Sequence, residues 1–351
     1  MSHETTPSHS DGRSSSALGV RPANRQAVAI TGASSFLGAN LVGMLEQDES
    51  VRRIVCLDLK APRTAAGKSR AYELDLTHPS AEERLTEIFS AEGVDTVVHL
   101  AFLPSPTHTS AWAHELESVG TMQALNACRR STVRKVVLWS QTLLYGARPT
   151  NPNFLSEKHP LRAPRAEPFF TDKMDAEQEA LRFGQPGKGR IATVLRTAPI
   201  LGPTVDSFLT RYLGHRLVPT VLGFDPLWQF LHEADAVAAF RLAVVRDAPG
   251  VFNVTGDGVL PLHTAIRLVG RTSLPLPRLL TRTMAGALWL AQLAEAPPSF
   301  CDYLQYICVA DGTSAQKALG FRPSYTSREA VIEFGSAQRL RDVRLLSESP
   351  A

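Results

Sequence analysis

The sequence predicts an α/β fold in which a doubly wound parallel sheet is followed by a smaller C-terminal subdomain. Short apolar segments alternate with segments of helical spacing from residue 26 to about residue 200. A glycine-bearing turn joins the first of these strands to the first helix. Beyond residue 198 the alternation gives way to scattered Gly, Pro and aromatic residues. Continuously apolar strands separated by helices are typical of a parallel sheet that is covered on both faces.

The spacing of apolar residues places the individual elements. Apolar runs predict strands at 27–31, 53–58, 95–101, 135–140 and 191–197. Helical periodicity predicts helices at 36–47, 81–93, 110–130 and 172–184. The segment 229–245 combines a strand with a helix, which indicates that the chain crosses back to the first sheet. The apolar stretch 279–296 contains Arg282 and Glu295, so we expect an amphipathic helix on the protein's own core and no stable membrane insertion.

Composition and charge argue against several classes of partner. The chain has 351 residues, of which 44% are hydrophobic and 20% charged, as in globular proteins with a full core. The net charge is +3, and the sequence contains no block of Lys and Arg residues. This argues against a nucleic-acid interface. The four Cys form no C-x-x-C pair and accompany no His cluster, so we expect no metal site and a reducing, cytoplasmic compartment. The first 25 residues lack an apolar run and indicate a disordered tail, not a signal peptide.

The turn TGASSFLG, residues 31–38, has the features of a phosphate-binding loop. It follows an apolar strand and opens a helix, whose first N–H groups and dipole can hold an anion. Gly32 and Gly38 let the backbone approach a pyrophosphate, whereas Ser35 brings a Cβ to a position where close approach is wanted. The sequence therefore predicts a somewhat altered Rossmann-type dinucleotide site at Gly32, Ser34, Ser35, Phe36, Leu37 and Gly38.

An acidic residue at the end of the second strand indicates which dinucleotide is bound. Asp58 follows Gly38 by twenty residues, where a carboxylate accepts hydrogen bonds from the adenosine ribose and repels a 2′-phosphate. This favours NAD over NADP, although Lys60 and Arg63 nearby leave NADP open. The alternative is that Asp58 is a turn residue. Asp75 and Leu76, at the end of a third strand, either contact adenine or only end that strand.

Together the motifs resemble the extended short-chain dehydrogenase/reductases, in the NAD-dependent epimerase/dehydratase group. In the family's order, between about residues 26 and 330, they are TGASSFLG, VCLD, ELDL, VDTVVHLA, VVLWSQTLLYG, Lys173 with Glu177, VLRTAPILGP and FLHEADAVAAF. The runs YGARPTNP, GFDPLWQFLHE and DYLQY are similar to a bacterial subgroup labelled UDP-glucose 4-epimerase-like. The resemblance implies NAD as cofactor, with Leu100 and Ala101 joining its site, and a small-molecule substrate.

The resemblance also implies three chemical side chains, two of which this chain lacks. The family uses a Tyr to exchange the substrate proton, a Lys four residues on to assist it, and a Ser or Thr to bind the substrate oxygen. Lys173 matches the Lys, but Phe169 stands at the Tyr position and Gln141 at the Ser position. Thr142 could supply a hydroxyl only if the strand end shifts register. We expect Lys173 to hold the nicotinamide ribose; the alternative is a solvated lysine paired with Glu177.

The substrate position departs from the family as well. Epimerases of this group often carry an Arg two residues before the aromatic residue of the segment that matches FLHEAD, where it pairs with a nucleotide-sugar phosphate. Trp228 occupies that place here, which removes a charge partner and adds an apolar stacking face. Unless Arg211 or Arg216 compensates, the substrate is smaller or more apolar than a nucleotide sugar.

These observations leave two hypotheses for function. The first is an NAD-dependent epimerase or oxidoreductase that acts on a hydroxylated substrate through Lys173, Thr142 and an unidentified acid. The second is a non-catalytic NAD(H)-binding sensor or scaffold. The predicted parts of the chain are a tail at 1–25, a Rossmann domain at 26–200, a mainly substrate-binding subdomain at 201–335 and a C-terminal tail at 336–351. The resemblance implies a homodimer formed through the helices at about 110–130 and 168–184.

Overall fold

The computed structural model describes residues 25–60, 67–187 and 189–348. The tail at 1–24 and Arg63 lie outside this part of the chain. Its strands are β1 (Gln26–Thr31), β2 (Val51–Asp58), β3 (Ser69–Glu73), β4 (Thr96–His99), β5 (Lys135–Gln141), β6 (Ile191–Thr197), β7 (Ile200–Leu201), β8 (Leu217–Val221), β9 (Leu227–Trp228), β10 (Leu231–His232), β11 (Gly250–Val254), β12 (Leu260–Pro261) and β13 (Thr272–Leu276). Its helices are α1 (Phe36–Glu46), α2 (Ala81–Ala91), α3 (Ser110–His114), α4 (Gly120–Arg130), α5 (Pro168–Phe183), α6 (Phe208–Gly214), α7 (Glu233–Val245), α8 (Leu262–Val269), α9 (Arg278–Leu290), α10 (Thr313–Leu319) and α11 (Ser327–Glu348).

The central sheet has seven parallel strands in the order β11-β6-β5-β4-β1-β2-β3. Helices α1 and α7 pack against each other, and α2, α4 and α5 form a second group. The strand order reverses between β1 and β4, so the carboxyl ends of these strands flank a crevice of the kind that binds ligands in such sheets. The predicted doubly wound parallel sheet is confirmed.

A smaller unit follows β6 and is built on three two-stranded sheets, β7 with β10, β8 with β13, and β9 with β12. Its apolar core includes Phe208, Phe230 and Phe300, and it extends onto α5 through Phe169 and Phe170. The chain returns to the central sheet with α7 and β11, which pairs with β6. The aromatic core of the smaller unit therefore contacts α5, a helix that packs on β5 and β6 of the central sheet.

Three elements differ from the sequence prediction. The single helix expected at 110–130 contains a π-helical turn, Glu115–Val119, between α3 and α4. Helix α9 ends at Leu290 and not at 296; it packs on β8, but its apolar residues surround the helix, so that Leu279 is 82% exposed and Leu290 86%. Helix α11 continues to Glu348 through most of the expected C-terminal tail, helped by an ion pair between Arg271 and Asp342.

The buried imidazole of His99 predicts acid sensitivity. Its ring nitrogens bind the hydroxyls of Thr31 at 2.7 Å and Thr121 at 2.9 Å. Burial lowers the pKa of His99 from 6.5 to about 4. Between about pH 6.5 and pH 4 the His99 imidazole is therefore protonated in the unfolded chain but not in the folded chain. The free energy of unfolding falls as the pH drops through this range. We expect His99 to account for a loss of about 3 kcal/mol over this range.

Urea unfolding at several pH values measures this loss. The slope of stability against pH should be flatter in His99→Gln than in the parent protein. Equal slopes in the two proteins would show that His99 does not take up a proton on unfolding.

Candidate active site

The phosphate loop is a tight turn from β1 into α1. Gly32 has a φ of 70°, and a Cβ there would lie 2.9 Å from the carbonyl carbon of Leu100 at the end of β4. A Cβ on Gly38 would lie 2.3 Å from the carbonyl oxygen of Gly32. Both positions therefore need glycine, one for the turn and one for the approach of helix to strand.

Ser35 caps α1. Its hydroxyl oxygen accepts a hydrogen bond from the Gly38 N–H at 3.0 Å and donates one to the Gly32 carbonyl at 2.7 Å. The serine thus closes the turn and begins the helix, a role that the motif spacing does not reveal. The N–H groups of Phe36 and Leu37 come first in α1, where no intrahelical acceptor exists, so they are available to an anion.

Asp58 lies beside the loop. Its carboxylate accepts hydrogen bonds from the N–H groups of Ser34 and Leu59, each at 2.8 Å. The loop and the end of β2 are therefore joined around one anionic group, as a ribose contact requires. Asp75 bonds instead to Thr77, through the backbone N–H at 2.9 Å and the hydroxyl at 2.7 Å, and forms a local turn.

The other predicted residues of the cofactor site surround this turn. Leu76 is buried, and its carbonyl accepts a hydrogen bond from Gln123. The Leu100 N–H donates to the carbonyl of Thr31, and Ala101 follows it, half-buried. The glycine cradle, the free amides of α1 and the carboxylate of Asp58 fit a dinucleotide.

Lys173 lies in a buried ion pair that the sequence analysis did not anticipate. Its Nζ is 2.8 and 2.7 Å from the carboxylate oxygens of Glu117, and both side chains are 2% exposed. Glu117 also accepts a hydrogen bond from the Leu103 N–H at 2.6 Å. Burial lowers the pKa of Lys173 and raises that of Glu117, and the mutual attraction opposes both changes.

Phe169 shares this environment. The Nζ of Lys173 is 3.8 Å from the centroid of the Phe169 ring, a cation–π contact. The ring also packs edge-on against Phe170 and Phe208, with centroids 5.4 and 6.0 Å apart. Glu117 and Phe169 line a cavity of about 250 Å³ whose far wall includes Trp289 of α9.

Sequence reasoning missed Glu117, although one signal was present. It occupies the helical stripe of Ala113, Gly120 and Ala124, which are small and buried. A carboxylate on such a stripe needs a partner. Glu177, the alternative partner of Lys173, binds Arg196 at 2.6 Å instead.

The hydroxyl and amide candidates near β5 have different surroundings. Gln141 is half-buried and lines a cavity of about 40 Å³ together with Phe36 of the phosphate loop. Thr142 is buried in the 3-10 turn Thr142–Tyr145. The phenol of Tyr145 is buried, accepts from Arg196 and donates to the side chain of Asn253, and burial raises its pKa.

The three substrate candidates differ in burial and in their partners. Arg211 binds Glu295 at 2.5 Å and Asp206 at 2.7 Å, so its charge is balanced within the protein. Arg216 is exposed. Trp228 is buried and stacks on Phe230 with centroids 5.8 Å apart.

The fold and the loop define a dinucleotide-binding α/β protein, and comparison with known proteins gives its family. The sequence model of the NAD dependent epimerase/dehydratase family matches residues 28–255. The chain belongs to this family, as the motifs predicted, and the family's description agrees with NAD as the predicted cofactor. Within the described residues, no helix combines the length and apolarity that crossing a bilayer requires.

Individual relatives and structures extend the comparison. An uncharacterized protein of Mycobacterium tuberculosis is 32% identical over 320 residues, covering 89% of this chain and 84% of the relative. A 3-diazoavenalumate denitrifying reductase of a Streptomyces species is 27% identical over 316 residues, covering 86% and 97%. The structure of MoeE5 in complex with UDP-glucuronic acid and NAD has a TM-score of 0.69 at 24% identity, covering 90% of this chain and 99% of MoeE5. That structural similarity concerns the fold.

Proposed function

We propose that the protein is an NAD-dependent oxidoreductase that uses the Glu117–Lys173 pair where its family uses a tyrosine phenol. One observation carries the proposal: the carboxylate of Glu117 and the ring of Phe169 line the same cavity, with the ammonium group of Lys173 against both. The substrate is a hydroxylated molecule or the corresponding carbonyl compound.

The cofactor end of the site rests on the loop. NAD, when bound, supplies a nicotinamide that carries hydride. The amides of Phe36 and Leu37 would hold its pyrophosphate, and Asp58 its adenosine ribose, with repulsion of a 2′-phosphate. Gln141 would present an amide where the family presents a hydroxyl.

The proton has a separate source. Reduction of a carbonyl compound to an alcohol needs one hydride at carbon and one proton at oxygen, and oxidation reverses both. The ammonium group of the Glu117–Lys173 pair contacts the Phe169 ring, and burial raises the pKa of Glu117 and lowers that of Lys173. The pair is therefore the candidate for the missing acid, and Lys173 retains a role without a phenol.

The neutral double variant Glu117→Gln with Lys173→Met tests this role without leaving an unpaired charge. NADH oxidation with a panel of uncharged aldehydes and ketones should fall about 100-fold or more, because proton transfer contributes that much. Unchanged turnover would remove the pair from the mechanism.

The second candidate is a non-catalytic NAD(H)-binding protein, favoured by the burial of Phe169 among aromatic rings without a hydroxyl. It predicts NADH binding with no loss of NADH absorbance on any member of the panel. The parent protein decides between the two, since turnover is expected only for an enzyme.

Cofactor choice is tested by titrating NADH and NADPH against protein fluorescence. We expect NADH to bind more tightly, and Asp58→Asn to weaken NADH about tenfold while NADPH changes less, since the substitution removes the anion. Tighter NADPH binding by the parent protein would contradict the assignment of Asp58.

The relatives and the surface give further support. MoeE5 is described with UDP-glucuronic acid and the Streptomyces reductase is named for 3-diazoavenalumate, so similar proteins differ in substrate class.

We propose that a homodimer forms through α3, α4 and α5. These helices carry the exposed apolar residues Trp112, Met122 and Leu181.

A further inference from the structure

A larger cavity adjoins the proposed active site. This α9 cavity, of about 430 Å³, lies between α6, β8, α9 and the 3-10 turn Pro298–Leu304. Phe208 and Leu209 line both it and the small cavity beside Gln141. Phe169 packs on Phe208 and Phe300, two rings of its wall, with centroids 6.0 and 6.2 Å away. Phe208 and Phe300 therefore lie between the cavity and Phe169, the position of the proposed chemistry.

The wall is mostly apolar, and three of its hydroxyl groups donate to backbone carbonyls. The hydroxyl of Tyr212 donates to the Pro219 carbonyl at 2.7 Å, and that of Tyr303 to the Leu143 carbonyl at 2.6 Å. The hydroxyl of Thr281 donates into the first turn of its own helix, at 3.1 Å. A ligand that fills the cavity meets mainly hydrocarbon.

The charges nearby do not suit a phosphate. Within the part of the chain that the structure describes, no Lys or Arg lines the cavity. The carboxylate of Glu295 does line it, and it already binds Arg211, which also binds Asp206. Trp228 supplies an apolar ring to the wall. A nucleoside diphosphate would thus lose its hydration without gaining an unpaired cation.

We infer that the α9 cavity binds an uncharged, largely apolar substrate whose reactive group lies at the wall formed by Phe208 and Phe300, the rings that contact Phe169. Its volume falls in the range of small-molecule sites, and burial of apolar surface drives binding there. That the ligand is a substrate rests on the proposed function; the apolar, uncharged character of the ligand rests on the wall alone.

Titration with N-phenyl-1-naphthylamine, an uncharged fluorescent molecule, tests the cavity. Leu288 lines the cavity on α9, whereas Leu290, on the same helix, is 86% exposed and does not. Leu288→Glu should raise the dissociation constant of the dye about tenfold or more, and Leu290→Glu should leave it unchanged. No dye binding, or equal effects of the two variants, would overturn the inference.

UDP and NADH complete the experiment. UDP should neither bind measurably nor displace the dye, and displacement by UDP would overturn the inference in favour of a nucleotide. NADH binding without dye binding would reject the cavity assignment and keep the proposed function. Dye binding that responds to Leu288→Glu, in a protein that does not bind NADH, would reject the proposed function and keep the character of the cavity.

Discussion

Glu117→Ala is expected to lower the free energy of unfolding by about 3–5 kcal/mol, because it leaves the buried ammonium group of Lys173 without its partner. Both side chains are 2% exposed, so the ammonium group has little contact with solvent that could compensate for the lost carboxylate. The midpoint of urea unfolding, with the dependence of stability on urea concentration, measures the loss.

Two further variants isolate the cause of that loss. Glu115→Ala removes an exposed carboxylate from the same π-helical turn and should change stability by less than about 0.5 kcal/mol. Glu117→Leu combined with Lys173→Met should recover most of the lost stability, since apolar groups of similar size often replace a buried pair without cost. A loss below about 1 kcal/mol in Glu117→Ala would mean that Lys173 is buried as the neutral amine.

The second large effect is expected from Gly38→Ala. The added Cβ would lie 2.3 Å from the carbonyl oxygen of Gly32, so α1 must move away from the loop. Overpacking of this kind costs about 1–3 kcal/mol of stability. Displacement of the Phe36 and Leu37 amides should weaken NADH binding about 100-fold, which corresponds to about 3 kcal/mol. Fluorescence titration and urea unfolding measure the two losses.

The same helix offers a matched control in Gly43. A Cβ there meets nothing within 4 Å, and the residue is exposed in the middle of α1. Gly43→Ala should therefore stabilise the protein by up to about 1 kcal/mol and leave NADH binding unchanged. If Gly38→Ala bound NADH like the parent protein, the loop would not be the pyrophosphate site.

The sheet and the loop could be predicted because their signals are local. The run IATVLRT forms β6 at Ile191–Thr197, as its apolar continuity indicates. Asp58 lies against Ser34 because parallel strands bring their carboxyl ends to one edge. The spacing of TGASSFLG locates the turn, but the capping role of Ser35 depends on its side-chain rotamer, which spacing does not specify.

The Glu117–Lys173 ion pair and the α9 wall of the α9 cavity depend on contacts between distant parts of the chain. Glu117 and Lys173 are 56 residues apart, and each alone resembles an ordinary helical charge. The periodicity of α9 indicates an amphipathic helix but not which element covers it or that Leu279 and Leu290 are largely exposed. These features follow from how the two units pack, which local propensity does not determine.

The contact between Lys173 and Glu117 also constrains how the chain could be converted to its family's usual chemistry. A lone Phe169→Tyr change places a phenol beside a lysine whose charge Glu117 already balances, so the phenol gains little acidity; a tyrosinate absorbance titration would show this. A lone loss of Glu117 frees the lysine at a large cost in stability. Each single step is therefore unfavourable, and a redesign toward a tyrosine-dependent site has to change both positions together, a case of strong epistasis at one site.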